Sequence, residues 1–186
     1  DLPEGCAGLI LASPGNPSGT VLRTDELRAL SDAARAKGMA LISDEIYHGL
    51  SYGDRCHSAL EVTDNVFVIN SFSKYFSMTG WRVGWMVVPP DHIRTVERLA
   101  QNLFICPPHA SQVAALAALD CTAEADANLA VYAENRRLML EGLPRAGFDR
   151  IAPPEGAFYI YADVSHLTGD SLRFAAEILE KAGVAV

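Results

Sequence analysis

The chain has 186 residues, 49% hydrophobic and 20% charged, proportions that fit a globular protein with a sizeable core and exclude a disordered or fibrous one. Its net charge of -8, without a basic run, argues against nucleic acid or an anionic membrane as partner, and no apolar run approaches the length of a membrane span. The first apolar run in chain order is Gly8-Leu9-Ile10-Leu11-Ala12, which reads as a buried strand. It ends in Ser13-Pro14-Gly15-Asn16-Pro17-Ser18-Gly19-Thr20, a cluster of turn residues in which the prolines stiffen the backbone around Asn16 and aim its amide. Thr24 is expected to cap a helix whose apolar face is Leu27, Leu30, Ala33 and Ala34, with Gly38 as its terminator.

Met39-Ala40-Leu41-Ile42-Ser43 is a second apolar strand, running into Asp44-Glu45-Ile46-Tyr47. Strand, helix and strand in this order predict a βαβ unit and hence a parallel sheet, in which ligands bind beyond the carboxyl ends of the strands. Residues 52–65 are polar and irregular, and His48 and His57 read as ordinary surface or loop residues. A third apolar run, Val66-Phe67-Val68-Ile69, opens onto Ser71-Phe72-Ser73-Lys74-Tyr75-Phe76-Ser77-Met78-Thr79-Gly80-Trp81-Arg82-Val83-Gly84. Apolar neighbours of Lys74 would desolvate its ammonium and favour the neutral, nucleophilic amine. Arg82, with Ser71 and Ser73, has the chemistry of a phosphate anchor. Two readings stand side by side: a lysine that forms a Schiff base with a phosphorylated aldehyde, or a structural loop with a solvated lysine. Asn16, Asp44 and Lys74 each follow a predicted strand, which brings three loops to one rim.

Val83–Val88 is a further strand, closed by Pro89-Pro90. Helices are expected at 91–103, at 110–119 (alanine-rich and buried on most sides) and at 123–145, the last long enough to connect two parts of the chain. Residues 148–151 and 157–162 read as strands around a Pro-Pro-Glu-Gly turn, with Phe158, Tyr159 and Tyr161 as core packing rather than a ligand platform. Asp170 or Ser171 caps a final helix to Ala182, Gly183 ends it, and residues 184–186 begin another strand. Cys6, Cys56, Cys106 and Cys121 are scattered, with no C-x-x-C pair and no histidine at ligand spacing, which fits reduced cytoplasmic thiols and no metal site.

Asn16-Pro17-Ser18-Gly19, Asp44-Glu45-Ile46-Tyr47 and Ser71-x-Ser73-Lys74 with Gly80-Trp81-Arg82-Val83-Gly84 resemble, in order and spacing, three successive signatures of the class I aminotransferases. Ala157-Phe158-Tyr159 resembles a strand of that family's small domain. The resemblance implies an α/β fold: the fold type I large domain, a mostly parallel sheet with crossover helices, plus part of a small α+β domain. It divides the chain into residues 1–121 in the large domain, 122–146 as connecting helix and 147–186 in the small domain. It also implies pyridoxal-5′-phosphate (PLP) as cofactor, L-amino acid and 2-oxo acid substrates, and a cytoplasmic homodimer at full length. By the same resemblance Lys74 carries the cofactor as an aldimine and moves the substrate proton. Asp44 then pairs with the pyridine nitrogen, Asn16 and Tyr47 hold the phenolic oxygen, and Ser71, Ser73 and Arg82 anchor the phosphate.

Two departures from the family pattern stand out. An N-terminal phosphate cup with a stacking aromatic, and a carboxylate-binding arginine beyond Val186, have no counterparts among these residues. No signal peptide opens the chain, and its first residue is Asp1 rather than methionine. The expectation is therefore a central fragment, not a competent transaminase on its own. Other readings are a PLP-dependent carbon–sulfur β-lyase or cyclopropane-forming synthase, an aminotransferase-like sensor domain of a transcription regulator, and a truncated chain without catalysis.

Overall fold

A computed structural model of the chain describes residues 2–186. Strand β1 (Gly8–Ala12) leads through helix α1 (Thr24–Ala36) to β2 (Ala40–Asp44), then to β3 (Phe67–Ser71) and β4 (Gly84–Val87). The helices α2 (Ile93–Leu103), α3 (His109–Ala118), α4 (Thr122–Gly142) and α5 (Ser171–Ala182) follow. The strands form one sheet in the order β1-β2-β3-β4. The first three are parallel, with Ala12 opposite Asp44 and Asp44 opposite Ile69, so their carboxyl ends share one edge. Strand β4 runs antiparallel to β3, placing Gly84 beside Ser71, so the sheet is mixed where sequence spacing alone suggested a parallel one.

The core sits on one side of the sheet, where Leu41, Val66 and Val68 pack with Ala59 against partly buried Leu9 and Leu11. On α1 the expected apolar face is the buried one, with Leu27 and Ala34 almost fully covered. The cap is one residue earlier than expected. Arg23 takes the extended N-cap conformation and Thr24 is already helical, while the Glu26 carboxylate accepts the Arg23 N–H at 2.8 Å. Gly38 (φ +66°) follows the helix in the left-handed region as its sequence position predicts.

Helix α3 corrects a sequence expectation. Only Ser111 and Ala115 are buried, Ala115 against Phe72 and Met78, and Val113, Leu116 and Leu119 are exposed. Its high alanine content reflects one close contact, not burial all round. The strands expected at 148–151 and 157–162 are also absent. A single antiparallel bridge joins Ile151 and Ala162, flanked by Ala152 N–H to Tyr161 O at 2.9 Å and Asp163 N–H to Arg150 O at 2.8 Å. Ala157 is left-handed (φ +58°), which breaks an extended run, and its N–H is taken by Leu50 O at 2.8 Å instead of a neighbouring strand. Residues 184–186 form no strand. Helix α5 does meet expectation: the Asp170 carboxylate accepts Arg173 N–H at 3.0 Å, and Gly183 ends it at φ +68°. The four cysteines are free, and no helix among the described residues is long and apolar enough to cross a membrane.

Candidate active site

Because β1, β2 and β3 end together, the segments that follow them meet at one rim. The Ser13 N–H donates to Asp44 O at 3.1 Å, and Glu45 N–H donates to Ile69 O at 2.8 Å, which extends the pairing just past the strand ends. The first loop is closed by Gly15 N–H to Thr20 O at 2.9 Å and Gly19 N–H to Gly15 O at 2.8 Å. Asn16 stands exposed on it, its amide unbonded among the described residues. Asp44 is half-buried at the last position of β2. One of its oxygens accepts the Ile46 N–H at 3.2 Å, and the other has no partner among the described residues.

The lysine loop is folded back on itself. Phe72 N–H donates to Val83 O at 3.2 Å, Met78 N–H to Phe72 O at 3.1 Å, and Thr79 Oγ1 to Ser73 O at 2.7 Å. Buried Phe72 and Met78 pin this closed loop to α3, while the Tyr75 hydroxyl donates to Asp126 on α4 at 2.6 Å. The Tyr75 ring lies on Gly49, where a Cβ would come within 2.6 Å of it. Lys74 Nζ projects from this frame and makes no hydrogen bond or ion pair among the described residues. It lies 5.4 Å from the centre of the Tyr47 ring and 5.7 Å from that of Phe158, the range of cation–π attraction.

Tyr47 is 2% exposed, and its hydroxyl oxygen is 2.6 Å from that of Tyr159. Burial first, then Tyr159 and the Asp44 charge, hold the phenol well above its ordinary range, so it stays a neutral hydroxyl. On the other side of Lys74, the Ser71 hydroxyl donates to Ser73 Oγ at 2.9 Å and accepts the Ser73 N–H at 3.0 Å. Arg82, left-handed at φ +53°, spends one N–H on Thr79 O at 3.0 Å; its other guanidinium N–H groups have no partner among the described residues. One rim thus carries an unpaired amine, a carboxylate with a vacant oxygen, two serine hydroxyls and a largely unpaired guanidinium. That donor set suits an anionic, aromatic aldehyde phosphate: a ring nitrogen for the carboxylate, a carbonyl for the amine, and phosphate oxygens for the serines and arginine. The residues present fit PLP. No group of three or more His, Cys, Asp or Glu side chains gathers as a metal site among the described residues.

Sequence reasoning missed three members of this surround. Phe158 and Tyr159, read as core packing, stand beside Lys74 and Tyr47, and Phe158 is 42% exposed. They arrive on the strap of residues 153–159, and no local pattern announces a contact between residues 112 apart. Glu45, 3% exposed, ties the end of β2 to the turn at Ser58: one oxygen accepts Ser43 Oγ at 2.9 Å, Ser58 Oγ at 3.1 Å and Ala59 N–H at 2.8 Å. Its other oxygen is 3.5 Å from His48 Nδ1. His48 is therefore mostly buried rather than a surface residue, and burial lowers its pKa against the pull of Glu45. No local pattern marks Glu45, because Ser58 and Ala59, which donate to it, lie 13 and 14 positions away. An apolar cavity of about 1160 Å³ lies behind Phe158 and Tyr159, walled by Tyr132, Met139, Phe174 and Ile178. None of the rim's charged groups reaches it, so the chemistry belongs to the rim.

The sequence matches the family model for aminotransferase class I and II over residues 1–186. It is 51% identical over 183 residues to the valine–pyruvate aminotransferase of Mycobacterium tuberculosis, covering 96% of this chain and 47% of that protein. An aspartate aminotransferase of Streptomyces avermitilis is 37% identical, with 96% of this chain and 47% of that protein aligned. Among solved structures, a Silicibacter pomeroyi protein superposes with a TM-score of 0.93 at 70% identity, over 96% of this chain and 48% of that one. A mutant Thermus thermophilus aspartate aminotransferase gives 0.87 at 35% identity, over 96% and 48%. The chain spans about half the length of the curated relatives it matches.

Proposed function

This chain belongs to the class I and II aminotransferases, and from that membership we propose that its full-length protein is a PLP-dependent aminotransferase. The reaction moves an amino group from an L-amino acid to a 2-oxo acid. When bound, the cofactor supplies an electron-withdrawing ring that accepts the charge left on the substrate carbon. The observation that carries the reading is Lys74: its amine is unpaired among the described residues, stands beside the Tyr47 and Phe158 rings, and lies on the same rim as Asp44. Lys74 would hold the cofactor through its amine and would move the substrate's α-proton. Asp44, one of whose oxygens has no partner among the described residues, would face the ring nitrogen and hold a proton there. Asn16 and Tyr47 donate to the phenolic oxygen. Ser71, Ser73 and Arg82 bind the phosphate.

The same reading assigns residues 1–121 to the large domain, 122–146 to the connecting helix and 147–186 to the small domain, within a cytoplasmic homodimer. The names of the relatives supply the first substrates to try. The full-length protein loaded with PLP is offered valine with pyruvate, then aspartate with 2-oxoglutarate, then a wider panel, following the cofactor's absorbance through single half-turnovers. Stoichiometric keto-acid formation that regenerates with an acceptor supports the assignment. Release of ammonia with no need for an acceptor would point instead to lyase chemistry.

A further inference from the structure

The strongest feature outside those assignments is the meeting of two phenols. The Tyr47 and Tyr159 rings pack edge to face, with centroids 5.7 Å apart at 75° and hydroxyl oxygens 2.6 Å apart. Tyr159 is held there by its strap. Gly156 N–H donates to Gly19 O at 2.8 Å, Val21 N–H to a Glu155 carboxylate oxygen at 3.1 Å, and Arg136 Nε to Pro154 O at 2.6 Å. The Tyr52 hydroxyl also donates to Ala157 O. At Gly156 a Cβ would fall 2.6 Å from Pro14 Cγ, so the strap sits directly on the loop that carries Asn16.

Each phenol has one proton, and at this separation one hydroxyl donates to the other. If Tyr47 donates to Tyr159, its only proton is used and nothing remains for a ligand. If Tyr159 donates, the Tyr47 O–H is free to face the rim, and accepting a bond makes it a stronger donor. The Tyr159 hydroxyl has no other partner among the described residues, so nothing competes for its proton. We propose that Tyr159 is a positioning residue: its hydroxyl donates to Tyr47 and so directs and strengthens the Tyr47 O–H toward the phenolic oxygen of the bound cofactor. The proposal rests on the reading of Tyr47 given above.

The test is a pH titration of the visible absorbance of the bound cofactor in the full-length holoenzyme. A donor on the phenolic oxygen competes with the proton that oxygen shares with the neighbouring nitrogen, so losing the donor raises the midpoint. Tyr159→Phe keeps the ring and its packing; the midpoint should rise by about 0.3–1 unit, the worth of one modest hydrogen bond. Tyr47→Phe should raise it further, and adding Tyr159→Phe to that variant should change nothing more. An unmoved midpoint in Tyr159→Phe, beside a shifted one in Tyr47→Phe, overturns the proposal while leaving the Tyr47 assignment intact. An additive shift in the double variant also overturns it, because Tyr159 would then act by another route. An unmoved midpoint in Tyr47→Phe removes both the assignment of Tyr47 and the role derived from it.

Discussion

Lys74 and Tyr47 face each other across the rim, with the lysine Nζ 5.4 Å from the centre of the tyrosine ring. They are 27 positions apart in sequence and sit on loops leaving neighbouring parallel strands, so their contact depends on the order and register of β2 and β3. Coupling between local loop chemistry and sheet topology is what makes the site, and it leads to distinct expectations for residues at its edge and at its centre.

The frame around Lys74 is tight at Gly49. This glycine has φ +92°, and a Cβ there would meet the Tyr75 ring at 2.6 Å. Gly49→Ala should therefore cost about 1–3 kcal/mol through backbone strain and displacement of Tyr75. Chemical denaturation of the full-length protein measures this, with a matching loss in cofactor affinity as the loop shifts. A substitution within a few tenths of neutral would mean that the Tyr75 ring is not seated on Gly49.

Tyr75 links the loop to α4 by donating to Asp126, and that bond raises the phenol from 10.0 to about 12. Because the folded value lies above the unfolded one, the stabilisation is complete below pH 10.0 and is lost as pH rises from there to about 12. The site is largely exposed, so solvent screening keeps the effect to about 0.5–1 kcal/mol. Stability of the parent protein should fall more steeply across that window than stability of Tyr75→Phe. Parallel curves for the two would show that the Tyr75–Asp126 bond contributes nothing.

Asp44 ends a strand and one of its oxygens has no partner among the described residues, so its side chain contributes little to the fold and remains open to the proposed ion pair. Asp44→Asn should leave the far-ultraviolet circular dichroism and thermal midpoint near those of the parent. Loss of the charge on the ring nitrogen should lower kcat by several orders of magnitude. Near-normal turnover in a folded Asp44→Asn enzyme would eliminate the proposed ion pair.

Much of this site is legible in the chain because its parts are local. Apolar runs followed at once by Asn16, Asp44 and the Ser71–Gly84 loop mark strand ends; one βαβ unit aligns the first two, and parallel pairing of β3 with β2 brings in the third. Capping chemistry at Asp170 and Gly183 defines α5 for the same reason. What could not be read depends on long-range partners. Residues 157–162 have the aromatic content of a strand, yet Ala157 is drawn off by Leu50 and Tyr159 by Tyr47. His48 looks like a loop residue until Glu45 and the surrounding backbone enclose it. Alanine richness in α3 signals a close approach on one side, and its other side remains exposed.

The central claim is that Lys74 is the residue that binds the cofactor. The chain's two other lysines are already engaged: Lys37 Nζ donates to Leu2 O at 2.6 Å, and Lys181 Nζ pairs with Glu177 at 2.8 Å. The most direct measurement is borohydride reduction of the full-length PLP-loaded protein, followed by digestion and mass mapping of its peptides. The phosphopyridoxyl mass should fall on Lys74, and Lys74→Ala should lose it while PLP still associates through its phosphate and ring contacts. Finding that mass on Lys37 or Lys181, with Lys74 unmodified, would contradict the assignment.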